Sequence, residues 1–117
     1  MAISVTAFRK IALSFPETIE LAHFEKPAFR IGKKIFATVD LKKKQACLKL
    51  NPAEQDLLSI FDKTIVFPVP NKWGKQGWTY IKLDKVHKEV AIDALITAYC
   101  EVAPKKLAAI AKSNKIV

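Results

Sequence analysis

The chain has 117 residues, with 20 Lys plus Arg against 11 Asp plus Glu, giving a formal charge of +9, and half of it is apolar. A chain of this length buries roughly two-thirds of the surface its unfolded form exposes, so one domain spanning 1–117 with an ordinary core is expected. Disorder, collagen and a disulfide-stapled mini-protein are excluded by the same composition.

Cys47 and Cys100 are too few and too distant for a disulfide framework, and no CxxC or CxxxH grouping accompanies them. A reduced, cytoplasmic setting follows as the expectation, with no metal and no cofactor. Arg9 and Lys10 interrupt the apolar pattern of the N-terminus where a signal peptide needs an unbroken run, and nothing approaches the ~18 apolar residues of a membrane span. A membrane partner is therefore not expected. The positive excess points instead to a polyanion, because Lys and Arg near phosphates release condensed counterions.

In chain order, Val5, Phe8, Ile11 and Ala12 recur at helical spacing behind a Ser4 N-cap, and Pro16 ends the run. A polar connection then leads to strands at 29–31, 34–39 and 45–50, the first two joined through Gly32-Lys33 as a tight hairpin. Asn51-Pro52-Ala53-Glu54 has the form of a capping box, with Leu57, Leu58 and Phe61 as the buried face of a short helix. A strand at 64–67, a loop at 71–77 and a last strand at 78–83 follow. Ala91, Ala94, Leu95, Ala98 and Val102 trace the stripe of a long helix, and Pro104 opens a shorter one whose tail from Lys112 is polar enough to fray. Strands clustered between terminal helices without βαβ alternation predict an α+β fold, an antiparallel sheet with helices packed on one face.

Period-2 alternation assigns the sheet faces. Ile35, Ala37, Val39, Ala46, Leu48, Leu50, Thr79, Ile81 and Leu83 are assigned to the core. Lys34, Phe36, Thr38, Cys47, Lys49, Trp78, Tyr80 and Lys82 are assigned to the open side. Aromatic rings among cations are what unpaired bases stack on while their phosphates are neutralised. The same rings also fit a structural Phe36–Trp78 cross-strand pair. Lys42-Lys43-Lys44 concentrates like charge in a hairpin loop, which suits either a phosphate partner or a solvated turn that blocks edge aggregation. Lys105 and Lys106 stand at a helix N-terminus, where the macrodipole disfavours cations unless an anion joins them.

Trp73-Gly74-Lys75-Gln76-Gly77-Trp78 lacks the GKS or GKT ending and the strand-loop-helix context of a phosphate-binding loop, so it reads as a structural loop with Gly at positive φ. His23 and His87 have no nucleophile at a motif spacing, so no catalytic residue is assigned and an enzyme is not expected.

The segments 23–39 (HFEKPAFRIGKKIFATV), 48–58 (LKLNPAEQDLL), 66–84 (VFPVPNKWGKQGWTYIKLD) and 98–107 (AYCEVAPKKL) resemble the MmcQ/YjbR family, small bacterial proteins commonly labelled DNA-binding. The resemblance implies a CyaY-like α+β fold of the double-wing type and no catalytic residue. It transfers by position onto Lys26, Pro27, Phe29 and Arg30; onto Trp73, Gly74, Gly77, Trp78 and Thr79; and onto Pro104, Lys105 and Lys106. The related frataxin group binds iron through an acidic first helix, which here carries Arg9, Lys10 and no carboxylate between Ser4 and Phe15.

Together these readings predict a monomeric, non-enzymatic nucleic-acid-binding protein, with DNA ahead of RNA. Its contacts would be Lys26, Arg30, Lys33, Lys34, Lys42, Lys43, Lys44, Lys49, Lys72, Lys75, Lys82, Lys105 and Lys106, with Trp78 as a stacking surface. Two other uses fit the same features: a protein- or peptide-interaction domain on the open sheet face, and a site for a small anionic or planar ligand near Trp73, Trp78 and Arg30.

Overall fold

The computed structural model describes residues 2–60 and 62–113. Among them, six strands form one antiparallel sheet and five helical segments flank it. The helix α1 (Val5–Ser14) starts on Ser4, whose hydroxyl accepts from the Ala7 N–H at 3.0 Å, and buries Phe8 and Ala12. The strands β1 (Thr18–His23), β2 (Lys26–Ile31), β3 (Lys34–Asp40) and β4 (Gln45–Lys49) run as a meander. Next come α2 (Pro52–Ser59), β5 (Val66–Pro68), the single helical turn α3 (Lys72–Lys75) and β6 (Trp78–Lys82). The last described elements are α4 (Lys88–Val102) and α5 (Lys105–Ser113). The strand order is β1-β2-β3-β4-β6-β5, the arrangement expected for an α+β fold with an antiparallel sheet. The capping box is present: Asn51 accepts from the Glu54 N–H at 2.9 Å while the Glu54 carboxylate accepts from the Asn51 N–H at 3.0 Å. The expected frayed tail lies largely outside the described residues, as does Phe61.

Strand β1 occupies what the sequence presents as a polar connection. Its apolar residues Ile19 and Leu21 are half exposed on the open side, and Glu20 between them is bound to Arg9 of α1 at 2.6 Å. An edge strand with its apolar side turned outward lacks the hydrophobic run that marks a core strand.

The larger correction concerns β3. Phe29 pairs with Ala37, yet the next residue, Arg30, pairs with Ile35, so Phe36 is an extra residue with no partner in β2. A bulge puts two successive residues on one side of the strand and reverses the alternation before it. Phe36 is therefore fully buried beside Ala37, and Ile35 turns to the open face, the opposite of what strict alternation predicts. The predicted Phe36–Trp78 pair is excluded by the same geometry, because the two rings lie on opposite faces. Phe36 instead joins Phe15 and Tyr99, with Phe36–Tyr99 and Phe15–Tyr99 ring centroids 5.4 and 4.9 Å apart. The Tyr99 hydroxyl donates to the Pro16 carbonyl at 2.6 Å, which ties α4 to the corner between α1 and β1.

Helix α2 also differs from its expected packing. Leu57 is 64% exposed; the buried positions are Gln55 and Ser59, with Leu58 partly buried against the core. Polar burial is possible here because the Gln55 amide and the Ser59 hydroxyl are both hydrogen-bonded.

Replacing Phe36 by Ala should cost about 3–5 kcal/mol of unfolding free energy, the range for truncating a buried aromatic, whereas Ile35→Ala should cost less than half as much. Chemical denaturation of both variants checks this. A larger loss at Ile35 than at Phe36 would mean that strict alternation holds and that there is no bulge.

Candidate functional site

The bulge shapes the open face of the sheet. With Phe36 withdrawn into the core, Ile35 and Thr38 of β3, Cys47 of β4, and Trp78 and Tyr80 of β6 form the floor of a groove of about 420 Å³. That volume lies within the range of about 300–1,000 Å³ common for ligand sites. Trp73, Val69 and Asn71 make one rim, and His23 and Phe24 make the other.

The Trp73 rim is fixed by buried polar contacts. The Gln55 side-chain amide reaches the carbonyls of Gly74 (2.9 Å) and Trp78 (3.1 Å) and the Thr79 hydroxyl (3.1 Å). Thr79 in turn donates to the Gly77 carbonyl at 2.8 Å. Gly77 has φ +109°, and a Cβ there would strike the Leu50 carbonyl; a Cβ on Gly74 would strike that of Val69. Both glycines are therefore fixed by close backbone approach, which agrees with reading the Trp73–Trp78 string as a structural loop. Lys49 contributes to the same anchor, its ammonium donating to the Leu50 and Gln76 carbonyls at 2.9 and 2.8 Å.

The opposite rim is strained. Phe24 and Glu25 form the two-residue connection between His23 and Lys26, with φ of +50° and +67°. Two-residue hairpins that need positive φ at both positions normally use Asn-Gly or Asp-Gly. Here the first position holds a Phe that is 86% exposed and stacks edge-on against His23, ring centroids 4.5 Å apart. Non-glycine residues held in the left-handed region cluster at functional sites.

The predicted cations fall into two groups. Lys33 and Lys34 on the β2–β3 turn, Lys49, and Lys72 and Lys75 of α3 lie at the Trp78 end. Lys34, Lys49 and Trp78 border a second hollow together with Glu101 and Val102, two residues upstream of the turn bearing Pro104, Lys105 and Lys106. Lys26, Lys42, Lys43, Lys44 and Lys82 lie at the other end, about 20 Å away along β3 at ~3.3 Å per residue. Asp40 accepts from the Lys42 and Lys43 N–H groups, both at 3.1 Å, and Lys44 takes a φ of +52°; this provides the turn geometry that Gly or Asn would otherwise supply. Arg30 is partly buried beside Ile19 and Ile35, with its Nε enclosed and unpaired. Of the remaining motif positions, Phe29 packs edge-on against Phe8 in the core at 6.3 Å, and Pro27 is half-buried opposite Ala22.

Burial pushes the Cys47 thiol in the groove floor up to about 12, so it stays neutral and is a poor nucleophile. The N–H of Lys43 holds Asp40 below the usual carboxylate value; desolvation opposes it, and the nearby Lys26 ammonium, the N–H of Lys42 and the Lys43 charge add to the lowering. It is therefore ionised at neutral pH. Among the described residues, no three His, Cys, Asp or Glu side chains come together as a metal site.

The elements that build this groove lie within residues 13–101, which match the family YjbR. The chain belongs to the YjbR family. A solved relative in fold is the Deinococcus radiodurans protein DR2400, which carries the DUF419 domain. It is 20% identical, and the alignment covers 93% of this chain and 88% of that one at a TM-score of 0.76. No curated protein matches the chain.

Of this YjbR groove, residue patterns indicated Trp78, Tyr80, Cys47 and Thr38, and the loop string Trp73–Trp78 added Trp73. His23, Phe24, Ile35, Val69 and Asn71 were missed. The alternation Ile19, Leu21, His23 is the signal that reveals the β1 hairpin and with it the Phe24 rim. Ile35 carries no such signal, because a bulge has no sequence mark at this site.

Changing the strained turn to Asn-Gly, by Phe24→Asn with Glu25→Gly, should stabilise the fold by about 1–2 kcal/mol, because two non-glycine residues leave the left-handed region. The melting temperature should rise by roughly 4–8 °C. An unchanged or lower Tm in a calorimetric scan would show that the turn holds no strain.

Proposed function

We propose that this YjbR-family chain is a non-enzymatic, monomeric, cytoplasmic module that binds single-stranded nucleic acid, with DNA as the first candidate. The observation that carries this reading is the groove itself: Trp78, Tyr80, Trp73 and Phe24 line one trough, and lysines stand at both of its ends. Bases unstacked from a duplex gain ~1–3 kcal/mol each on aromatic faces, and every base has such a face, so stacking of this kind is sequence-tolerant. Lysines split between two ends, with an apolar trough between them, suit a strand laid across the sheet better than a duplex docked on one continuous basic patch.

Lys49 is discounted as a phosphate contact because two carbonyls already hold its ammonium. Lys34, Lys72, Lys26 and Lys43 remain as the main contacts. If about four phosphates are neutralised on a single strand, log K should fall with log salt at a slope of roughly −3.

A second reading has its own support. Residues 11–25 contain three Glu and no Lys or Arg, and β1 is a six-residue edge with Ile19 and Leu21 half exposed, which suits strand addition by a basic peptide.

Fluorescence anisotropy with single-stranded DNA, duplex DNA and single-stranded RNA at two salt concentrations tests the main proposal. Single strands should bind more tightly than duplex with the stated slope, and Trp78→Ala should weaken binding about tenfold or more. Duplex preference, or no binding at low salt, would overturn it. Ile19→Ser, which adds no charge, should leave this binding unchanged; a loss would favour the β1 edge.

A further inference from the structure

The groove continues into a smaller hollow that differs from it in chemistry. Thr38, Cys47 and Tyr80 line both. Beyond them the walls become polar, formed by Lys26, Asp40, Lys43 and Gln45 around about 130 Å³. An aromatic trough that opens directly into a compact pocket with two ammonium groups matches the two halves of a nucleotide.

We infer that the trough and this pocket form the site of a single nucleotide unit, with the base against Tyr80, which lines both hollows, and the Phe24 rim, and the phosphate monoester between Lys26 and Lys43. This rests on the single-strand reading and makes it more specific: it states where one phosphate goes, and it makes a free nucleoside monophosphate a ligand in its own right.

Asp40 is the one group in the pocket that opposes an anion. Its Oδ1 is already engaged by the N–H groups of Lys42 and Lys43, and its Oδ2 lies 3.7 Å from the Lys26 ammonium. That pair is loose and its lysine is half exposed, so little is lost when Lys26 turns to a phosphate. With two lysines against one carboxylate, the pocket is net positive. Charge-assisted bonds to phosphate oxygens are stronger than neutral ones, and the Tyr80 and Gln45 side chains on the wall add uncharged donors. Asp40 also limits the site: a dianion binds, but the pocket lacks the charge to hold a polyphosphate tightly.

The chain's only two tryptophans, Trp73 and Trp78, both line the trough, so intrinsic fluorescence reports its occupancy. The intact protein is titrated with adenosine, adenosine monophosphate and an oligothymidylate at low salt. The monophosphate should bind about tenfold more tightly than the nucleoside, the increment of one charge-assisted contact. Combined Lys26→Ala and Lys43→Ala should abolish that preference and leave adenosine binding as it was. Asp40→Asn, which keeps the Oδ1 acceptor for the turn, should strengthen monophosphate binding about threefold. Equal affinity for adenosine and its monophosphate, or a preference that survives the double lysine variant, would overturn the inference. If the oligothymidylate still quenches both tryptophans in that case, the single-strand reading stands without it. If no ligand quenches, both fall.

Discussion

Phe36 has no partner in β2, and this one extra residue decides what each face of the sheet receives. On the helix side it brings Phe36 into contact with Phe15 and Tyr99, and the Tyr99 hydroxyl fastens α4 to the carbonyl of Pro16, 83 residues earlier in the chain. On the open side it replaces a large ring with Ile35, whose smaller side chain leaves the trough floor low between Thr38 and Trp78. A regular strand would bury Ile35 and raise Phe36 into the space the groove now occupies. Core and candidate site thus depend on the same local irregularity, which fits the concentration of bulges next to functional sites.

The two rims of the groove are held in different ways. The Trp73 side is over-determined: one buried Gln55 amide reaches three acceptors, and two glycines sit where a side chain would hit backbone carbonyls. Buried polar networks that are satisfied confer rigidity, so this rim and the Trp78 ring are preorganised. The Phe24 side is held only by the short β1–β2 hairpin, at an edge of the sheet, in a left-handed turn without glycine. One fixed wall and one strained, exposed wall allow a flat ligand to be received on the first and covered by the second.

Much of this was legible from residue patterns, and the failures share a cause. Helices α1, α2, α4 and α5 follow from Ser4, Asn51-Pro52, the Ala91–Val102 stripe and Pro104, because caps and helical periodicity are local signals. Alternation placed β4 and β6 correctly, with Leu48 and Ile81 inward and Cys47 and Tyr80 outward. It failed at Ile35 and Phe36, where register depends on how β2 pairs with β3, and at β1, whose apolar side faces outward. Leu57 was misassigned because the hydrogen bonds that make Gln55 a better buried residue come from β6, more than twenty positions away. The basic residues are plain in the sequence, but their division between two ends of the sheet is a property of strand order rather than of spacing along the chain.

The central claim is that the open face, with its floor set by the β3 bulge, is where ligand is received. Amide and indole chemical-shift mapping of the isotope-labelled chain with a short single-stranded oligonucleotide tests it most directly. The account predicts that the largest shifts fall on the indole N–H groups of Trp73 and Trp78 and on the amides of Phe24, Ile35, Thr38 and Tyr80. Shifts confined to α4, α5 and the lysine turns, with both indoles unmoved, would contradict it and leave the groove without a role in binding.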